Sequence, residues 1–265
     1  MTRIALTIAG VDPSGGAGTI ADVKTFAAFG VFPTAAIASI TFQNTQGVFG
    51  AEHQSADSVR EQIIPILDDY EISAVKTGML PTREVIEAVA EIIAERKLKN
   101  IVVDPVVRST SGFDLIDDAA LRSLIAKLFP LADLITPNIP EAERISGVAI
   151  ENESDIHDAA SVMRDLGARN VLIKGGHFVK AEGERRKAKD FLFLGEELTV
   201  FEGEYFDTTA THGTGCTLSS AIAANLALGN DLVASVEIAK RFVNEAIRTA
   251  PMIGRGHSPI NIKPV

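Results

Sequence analysis

The chain has 265 residues, 46% of them hydrophobic and 23% charged, long enough to bury a core without disulfide or metal staples and too apolar for a disordered or low-complexity chain. Twenty-five Lys and Arg against thirty-five Asp and Glu leave a net charge of -10, which repels nucleic-acid phosphates and anionic lipid unless the basic residues cluster. The densest basic stretch, Arg185, Arg186, Lys187 and Lys189, is interleaved with Glu182, Glu184 and Asp190 and reads as a solvated loop.

In chain order, residues 3–9 are a short apolar run closed by Asp12, Pro13 and a glycine cluster, a buried strand rather than a signal peptide. A helix is expected over 18–29. The uncharged stretch that follows is cut by Gly30 and Pro33, and Thr34, Ser39, Thr41, Gln43 and Asn44 make it too polar to cross a membrane, so a strand is expected over 34–41. Helices near 56–69, 83–96, 117–128 and 154–167 then alternate with strands at 72–76, 100–104, 132–136 and 169–174; Ser154 and Asp155 open the last of these helices. Short strands at 190–195 and 198–202 meet at Gly195 like a hairpin, and helices near 215–228 and 231–250 finish the chain. This alternation is that of an α/β protein with a mostly parallel central sheet and helices on both faces. No segment has linker composition and no repeat is present, so one domain over 1–265 is expected. One cysteine and no CxxC spacing point to a reducing compartment, the cytoplasm.

Ligands of such sheets bind beyond the carboxyl ends of the strands, and three unusual groups fall there. Between the first strand and helix, residues 10–18 contain four glycines within Gly10 to Gly18 besides Asp12 and Ser14. Gly16-x-Gly18-x-x-Ala21 formally fits a dinucleotide fingerprint, but no acidic residue lies between Asp22 and Glu52 to hold a ribose, and the Walker Lys is missing. The loop is either purely structural or one whose backbone approaches a ligand closely. The second group, residues 211–217, places Gly213, Thr214 and Gly215 at a helix N-terminus, an anion site suited to a phosphoryl group. Cys216 follows in the first turn, where the helix dipole favours a thiolate; the alternative is a small buried hydrophobe. The third group is Asp104, Asn138 with Glu141, and Lys174 before Gly175-Gly176-His177. These are carboxylates able to hold hydrated Mg²⁺ and a cation for phosphates, which is what ATP chemistry requires. The histidines show no zinc spacing.

Taken together with Gln43-Asn44-Thr45, Lys76-Thr77-Gly78-Met79-Leu80, Asp104-Pro105-Val106, Thr136-Pro137-Asn138-x-Pro140-Glu141 and Gly254-x-Gly256-x-x-Pro259-x-Asn261, these motifs cover the chain from end to end. In this order they resemble the hydroxymethylpyrimidine/phosphomethylpyrimidine kinase family of the ribokinase-like superfamily. The resemblance implies successive phosphorylation of 4-amino-5-hydroxymethyl-2-methylpyrimidine and of its phosphate, with MgATP as donor, in thiamine biosynthesis. It implies an anion hole at Gly213 and Gly215 next to Cys216, with Lys174, Asn138, Thr214 and His212 on the ATP side. Asp104 and Glu141 are implied at Mg²⁺. Gln43 takes the pyrimidine-reading position, and Gly10, Asp22, Met79 and Val107 complete that pocket. A homodimer is also implied. Two departures stand out: Arg108 occurs where many relatives carry a Lys in the flap, and Cys216 replaces the Asp of most sugar kinases. Pyridoxal kinases are the alternative, but they tend to lack the amide at position 43 and to have a second Cys in the flap.

Overall fold

The computed structural model describes residues 2–107, 115–175 and 187–265; Arg108, Gly176, His177, Arg185 and Arg186 lie outside them. Their elements in order are β1 (Ile4–Val11), α1 (Gly18–Ala28), β2 (Phe32–Asn44), β3 (Gly47–His53), α2 (Ala56–Asp69), β4 (Ala74–Thr77), α3 (Arg83–Glu95), β5 (Ile101–Val103), α4 (Asp118–Ser123), β6 (Leu134–Ile135), α5 (Ile139–Ser146), α6 (Glu153–Asp165), β7 (Asn170–Lys174), β8 (Lys187–Leu194), β9 (Glu197–Glu204), α7 (Thr214–Ala227) and α8 (Leu232–Arg248). All the strands belong to one sheet in the order β3-β2-β1-β4-β5-β6-β7-β8-β9. The strands β2, β1, β4, β5, β6 and β7 pair in parallel, while β3, β8 and β9 are antiparallel additions at the two edges. The ribokinase-like α/β class expected above is therefore the observed one.

The central strands are apolar on both sides because both sides are covered. Leu6, Ile8, Val75, Ile101, Val103, Val171 and Ile173 enter one core with α2, α3 and α6. Their alternating neighbours Ala5, Ala74, Val102 and Leu172 enter a second core with α7 and α8. Helix ends follow local chemistry: Ser55, Thr82, Asp117 and Asp231 each cap a helix through their side chains.

Four expectations need correction. β3 was not expected, because its burial pattern is mostly half-exposed and gives no apolar alternation. No helix was expected where α5 lies; Pro140 sits in its first turn, where a missing N–H costs nothing, and Asn138 with Glu141 forms a capping box. The helix expected over 117–128 is α-helical only to Ser123; a π-turn over Leu124–Leu128 and a 3₁₀ turn over Phe129–Leu131 follow. Asn152, not Ser154, caps α6, accepting from Ser154 N and Asp155 N while the Asp155 side chain accepts from the Asn152 N–H.

Candidate active site

The carboxyl ends of the parallel strands and the N-terminus of α7 surround a cavity of about 670 Å³. Its centre is the turn into α7. Gly213 has φ 85° and serves as N-cap, and no side chain caps the helix among the described residues, so first-turn N–H groups remain for a ligand. A Cβ on Gly213 would overlap the Gly16 carbonyl, because the glycine loop after β1 lies directly against this turn. A Cβ on Gly215 would stand 3.2 Å from Lys174 Nζ and 4.0 Å from Asp104 Oδ2, so the turn, the cation and the carboxylate converge.

Lys174 closes β7 and donates to Asp104 Oδ1 at 2.8 Å. Thr136, at the end of β6, donates to the same oxygen at 3.1 Å and contacts Ser219 Oγ of α7 at 3.0 Å. Burial works to raise the Asp104 carboxyl, but the charges of Lys174 and Lys76 and the bonds from Lys174 and Thr136 hold it below the usual carboxylate range. Burial works to lower Lys174, and the Asp104 and Glu141 carboxylates override it, raising the ammonium. Glu141 is different: burial, with Asp104 adding to it, pushes its carboxyl up to about 7 against the opposing pull of Lys174 and of N–H donors from Asn138 and Val107. Asn138 N donates to Glu141 Oε2 at 2.8 Å and Glu141 N donates to Asn138 Oδ1 at 2.9 Å, so the cap that starts α5 also aims its carboxylate.

Two acidic residues fit Mg²⁺, which binds through one or two carboxylates plus phosphate oxygens and water. No group of three or more His, Cys, Asp or Glu suited to a metal occurs among the described residues, and none is needed for such an ion. A carboxyl raised by burial, with a neighbouring carboxylate adding to it, is also what a divalent cation would relieve.

On the other side of the turn, Gly10, Gln43, Met79 and Asp12 line the cavity. A Cβ on Gly10 would come 3.1 Å from Met79 Sδ, so the glycine admits the thioether. Two of the expected pocket residues are not among the cavity lining. Asp22 is fully buried below the floor, ion-paired with Lys76. The Val107 side chain packs in the core, and its neighbour Val106 lines the cavity instead. Cys216 lines the cavity as expected of its position, but its thiol is not lowered. Burial, helped by Asp22 and Asp104, pushes it up to about 11 despite Lys76 and a Gly18 N–H donor, which outweighs the helix dipole.

Thr214 and His212 also lie on the wall. His212 Nε2 is 2.7 Å from Asp12 Oδ2. The far end of the cavity, which the sequence did not reveal, is formed by Tyr205, Phe206, Val243, Asn244 and Ile247. These residues come from the loop after β9 and from α8, and only the folded sheet edge brings them beside Gly175.

Residues 12–261 match the family described as phosphomethylpyrimidine kinase. The chain is 43% identical over 256 residues to a hydroxymethylpyrimidine/phosphomethylpyrimidine kinase of Haemophilus influenzae, covering 97% of this chain and 95% of that protein. It is 43% identical over 256 residues to the thiamine biosynthesis bifunctional protein ThiED of Geobacter sulfurreducens, covering 97% of this chain and 51% of that one. Among solved structures, an ADP complex of Bacillus subtilis pyridoxal kinase is similar with a TM-score of 0.89 and 38% identity, covering 98% of this chain and 97% of that chain.

Proposed function

Because the chain belongs to the phosphomethylpyrimidine kinase family, we propose that its cavity phosphorylates 4-amino-5-hydroxymethyl-2-methylpyrimidine and then the resulting monophosphate, with ATP as donor. It is a phosphotransferase of thiamine biosynthesis. The observation that carries the reading is the convergence of Lys174, Asp104 and the Gly213-Thr214-Gly215 turn at one point.

Phosphoryl transfer demands positioning and charge stabilisation more than covalent help from the protein. The first-turn N–H groups of α7 face charge that develops on the transferred group, and they need no reorganisation as it grows. Lys174 adds a fixed cation on the ATP side, where Asn138, Thr214 and His212 also stand. Mg²⁺, held through Asp104 and Glu141, would supply neutralisation of the phosphate oxygens. Gln43 reads the ring: its amide oxygen can accept from the 4-amino group while its NH₂ donates to a ring nitrogen, with Gly10 and Met79 as walls. With its thiol pushed to about 11, Cys216 is protonated at neutral pH and is not a standing base; in a loose transition state the acceptor hydroxyl keeps its proton until the O–P bond forms and then passes it to an oxygen of the transferred phosphoryl group.

A pyridoxal kinase is the second reading, favoured by the likeness to the Bacillus subtilis enzyme. Purified protein with MgATP and, separately, hydroxymethylpyrimidine, its monophosphate and pyridoxal, followed by mass analysis of products, tests both. A higher kcat/KM for the two pyrimidines is expected, and a tenfold preference for pyridoxal overturns the assignment. The same reading includes one catalytic domain in a cytoplasmic homodimer. Exposed Phe32, Ile40, Phe42 and Phe49 on the edge hairpin β2–β3 support the dimer, and sedimentation at two concentrations tests it.

A further inference from the structure

None of the residues in Gly254-x-Gly256-x-x-Pro259-x-Asn261 lines the cavity, yet the segment that carries them is bonded to two elements that do. At one end it crosses the tip of the β2–β3 hairpin. Thr45 Oγ1 accepts from Arg255 N at 3.2 Å and from Gly256 N at 3.3 Å, and Thr45 O accepts from His257 N at 2.7 Å. A Cβ on Gly254, whose φ is 83°, would overlap the Thr45 side chain, and one on Gly256 would overlap the Thr45 carbonyl. So close a crossing needs both glycines. At the other end the segment runs beside the residue that precedes Gly213. His212 N donates to Ser258 O at 3.3 Å and Ile260 N donates to His212 O at 3.4 Å, with Ser258 and Ile260 buried. Asn261 then anchors the segment on the end of α8, where its N donates to Ala246 O and its Nδ2 to Thr249 O, each at 2.9 Å.

The hairpin has little else to hold its tip. β2 pairs with β1 as far as Ile40, and Thr41 Oγ1 donates back to Val11 O at 2.9 Å. Gln43 lies beyond, paired with Val48 of β3, and β3 is itself the last strand of the sheet. The part of the segment that leads into the crossing is exposed, Met252 and Ile253 included. A stretch that buries so little apolar surface adds little to the stability of the fold, so its bonds to Thr45 serve geometry instead.

Building on the pyrimidine kinase reading above, we propose that Thr45 is a positioning residue for phosphoryl transfer: through the C-terminal segment it fixes the ring-reading Gln43 relative to the Gly213-Thr214-Gly215 turn. The acceptor and the transferred phosphoryl group are held by these two separate elements, and their reacting atoms must come to about 3 to 3.5 Å. A misplacement of about 1 Å can cost about 10²-fold in rate. Transfer to a pyrimidine therefore depends on the tie. Attack by water on the same phosphoryl group, which yields ADP and phosphate, makes no use of the hairpin.

Thr45→Val keeps the shape of the side chain and removes the acceptor of two hydrogen bonds. It is expected to lower kcat with hydroxymethylpyrimidine at least about tenfold, while KM for ATP and the acceptor-free rate of ATP hydrolysis stay within about twofold of wild type. General damage would depress hydrolysis along with transfer, and either that result or an unchanged kcat overturns the proposal. Thr45→Ser retains the oxygen and is expected to keep at least about half of the wild-type kcat; a loss as large as that of Thr45→Val overturns the role of the oxygen. Gly256→Ala drives the segment off the Thr45 carbonyl and is expected to show the same split between transfer and hydrolysis, and a wild-type kcat in this variant overturns the tie. Hydrogen exchange needs no acceptor: in Thr45→Val faster exchange is expected both over residues 43–46 and at the His212 amide, and a change confined to the hairpin and residues 253–257 overturns the coupling. Wild-type protein that leaves both pyrimidines unphosphorylated would overturn the kinase assignment, and the exchange result would still decide whether the tie exists, so the two failures are distinct.

Discussion

Two lysine–aspartate pairs are tied to α7 through the neighbouring Ser220 and Ser219, and they use the same chemistry to opposite ends. Lys76 Nζ donates to both oxygens of Asp22, at 3.0 and 2.9 Å. Thr7 Oγ1 and Ser220 Oγ each add a bond of 2.6 Å to that carboxylate, and neither side chain of the pair has any exposure. Asp104 takes Lys174 and Thr136 on Oδ1 alone, and its Oδ2 has no hydrogen bond among the described residues. The closed pair ties α1, β4 and α7 together at the cavity floor, where Lys76 reaches the lining. The open pair keeps an oxygen and a cation for something that arrives. A charge in a fold's interior is thus functional where its bonding is incomplete, not merely where it is buried.

Breaking the closed pair should give the largest effect. Lys76→Met strands the Asp22 carboxylate in the core, and urea denaturation should show a loss of about 3–5 kcal/mol. Lys76→Met/Asp22→Leu, which removes both charges, should regain most of it. A double variant as unstable as the single one would mean that the tie itself, not the stranded charge, is what matters.

The open pair should respond in the other currency. Lys174→Met removes a cation from the transfer point and is expected to lower kcat by about 10² to 10³, with a stability loss of no more than about 2 kcal/mol, since Glu141 can take up a proton near pH 7. Equal stability losses for Lys174→Met and Lys76→Met would erase the distinction between the pairs.

The contrast also explains what was legible in the sequence. Strand ends could be found because Leu6 and Ala5, or Val103 and Val102, are all apolar for want of a solvent face, and because Asp104, Asn138 and Lys174 follow such runs directly. Lys76 with Asp22 could not be found: the partners are 54 residues apart and meet only because the sheet order sets β4 beside β1. For the same reason the pocket place that the resemblance implies for Asp22 could not be weighed against its burial with Lys76. Cys216 misled in another way. The dipole of its own helix is a local feature that can be read in sequence, whereas the burial and the carboxylates that outweigh it come from α1 and β5.

An acid titration sharpens the comparison further. The carboxyl of Asp104 is depressed in the folded chain, so its contribution to stability is present above its unfolded value of about 3.9 and is lost as pH falls below that. Lys174 is raised, so its contribution holds below its unfolded value of about 10.4 and fades only above it. Asp104→Asn should therefore be less stable than wild type at pH 7 and lose less between pH 4.5 and 2.5, measured by urea denaturation at each pH. Parallel acid limbs would show that the Lys174 charge does not hold Asp104.

The smallest effect discriminates most finely, because Cys216 feels both pairs. It is the sole cysteine, so iodoacetamide reports on it unambiguously. With the thiol pushed up to about 11, the rate of alkylation should keep rising from pH 8 toward 11 and show no plateau near 9. Lys76 lowers this thiol and Asp22 raises it. Lys76→Met should therefore move the alkylation profile to higher pH by about one unit, and Asp22→Asn should move it to lower pH. Both substitutions cut the same tie, so a purely structural consequence would have one sign: loosening admits water, and the thiol drifts down toward its ordinary value in each variant. Opposite shifts require the charges of the closed pair to act on the sulfur through the fold. A downward shift in Lys76→Met would show that loosening dominates, and it would confine the closed pair to holding the floor of the cavity.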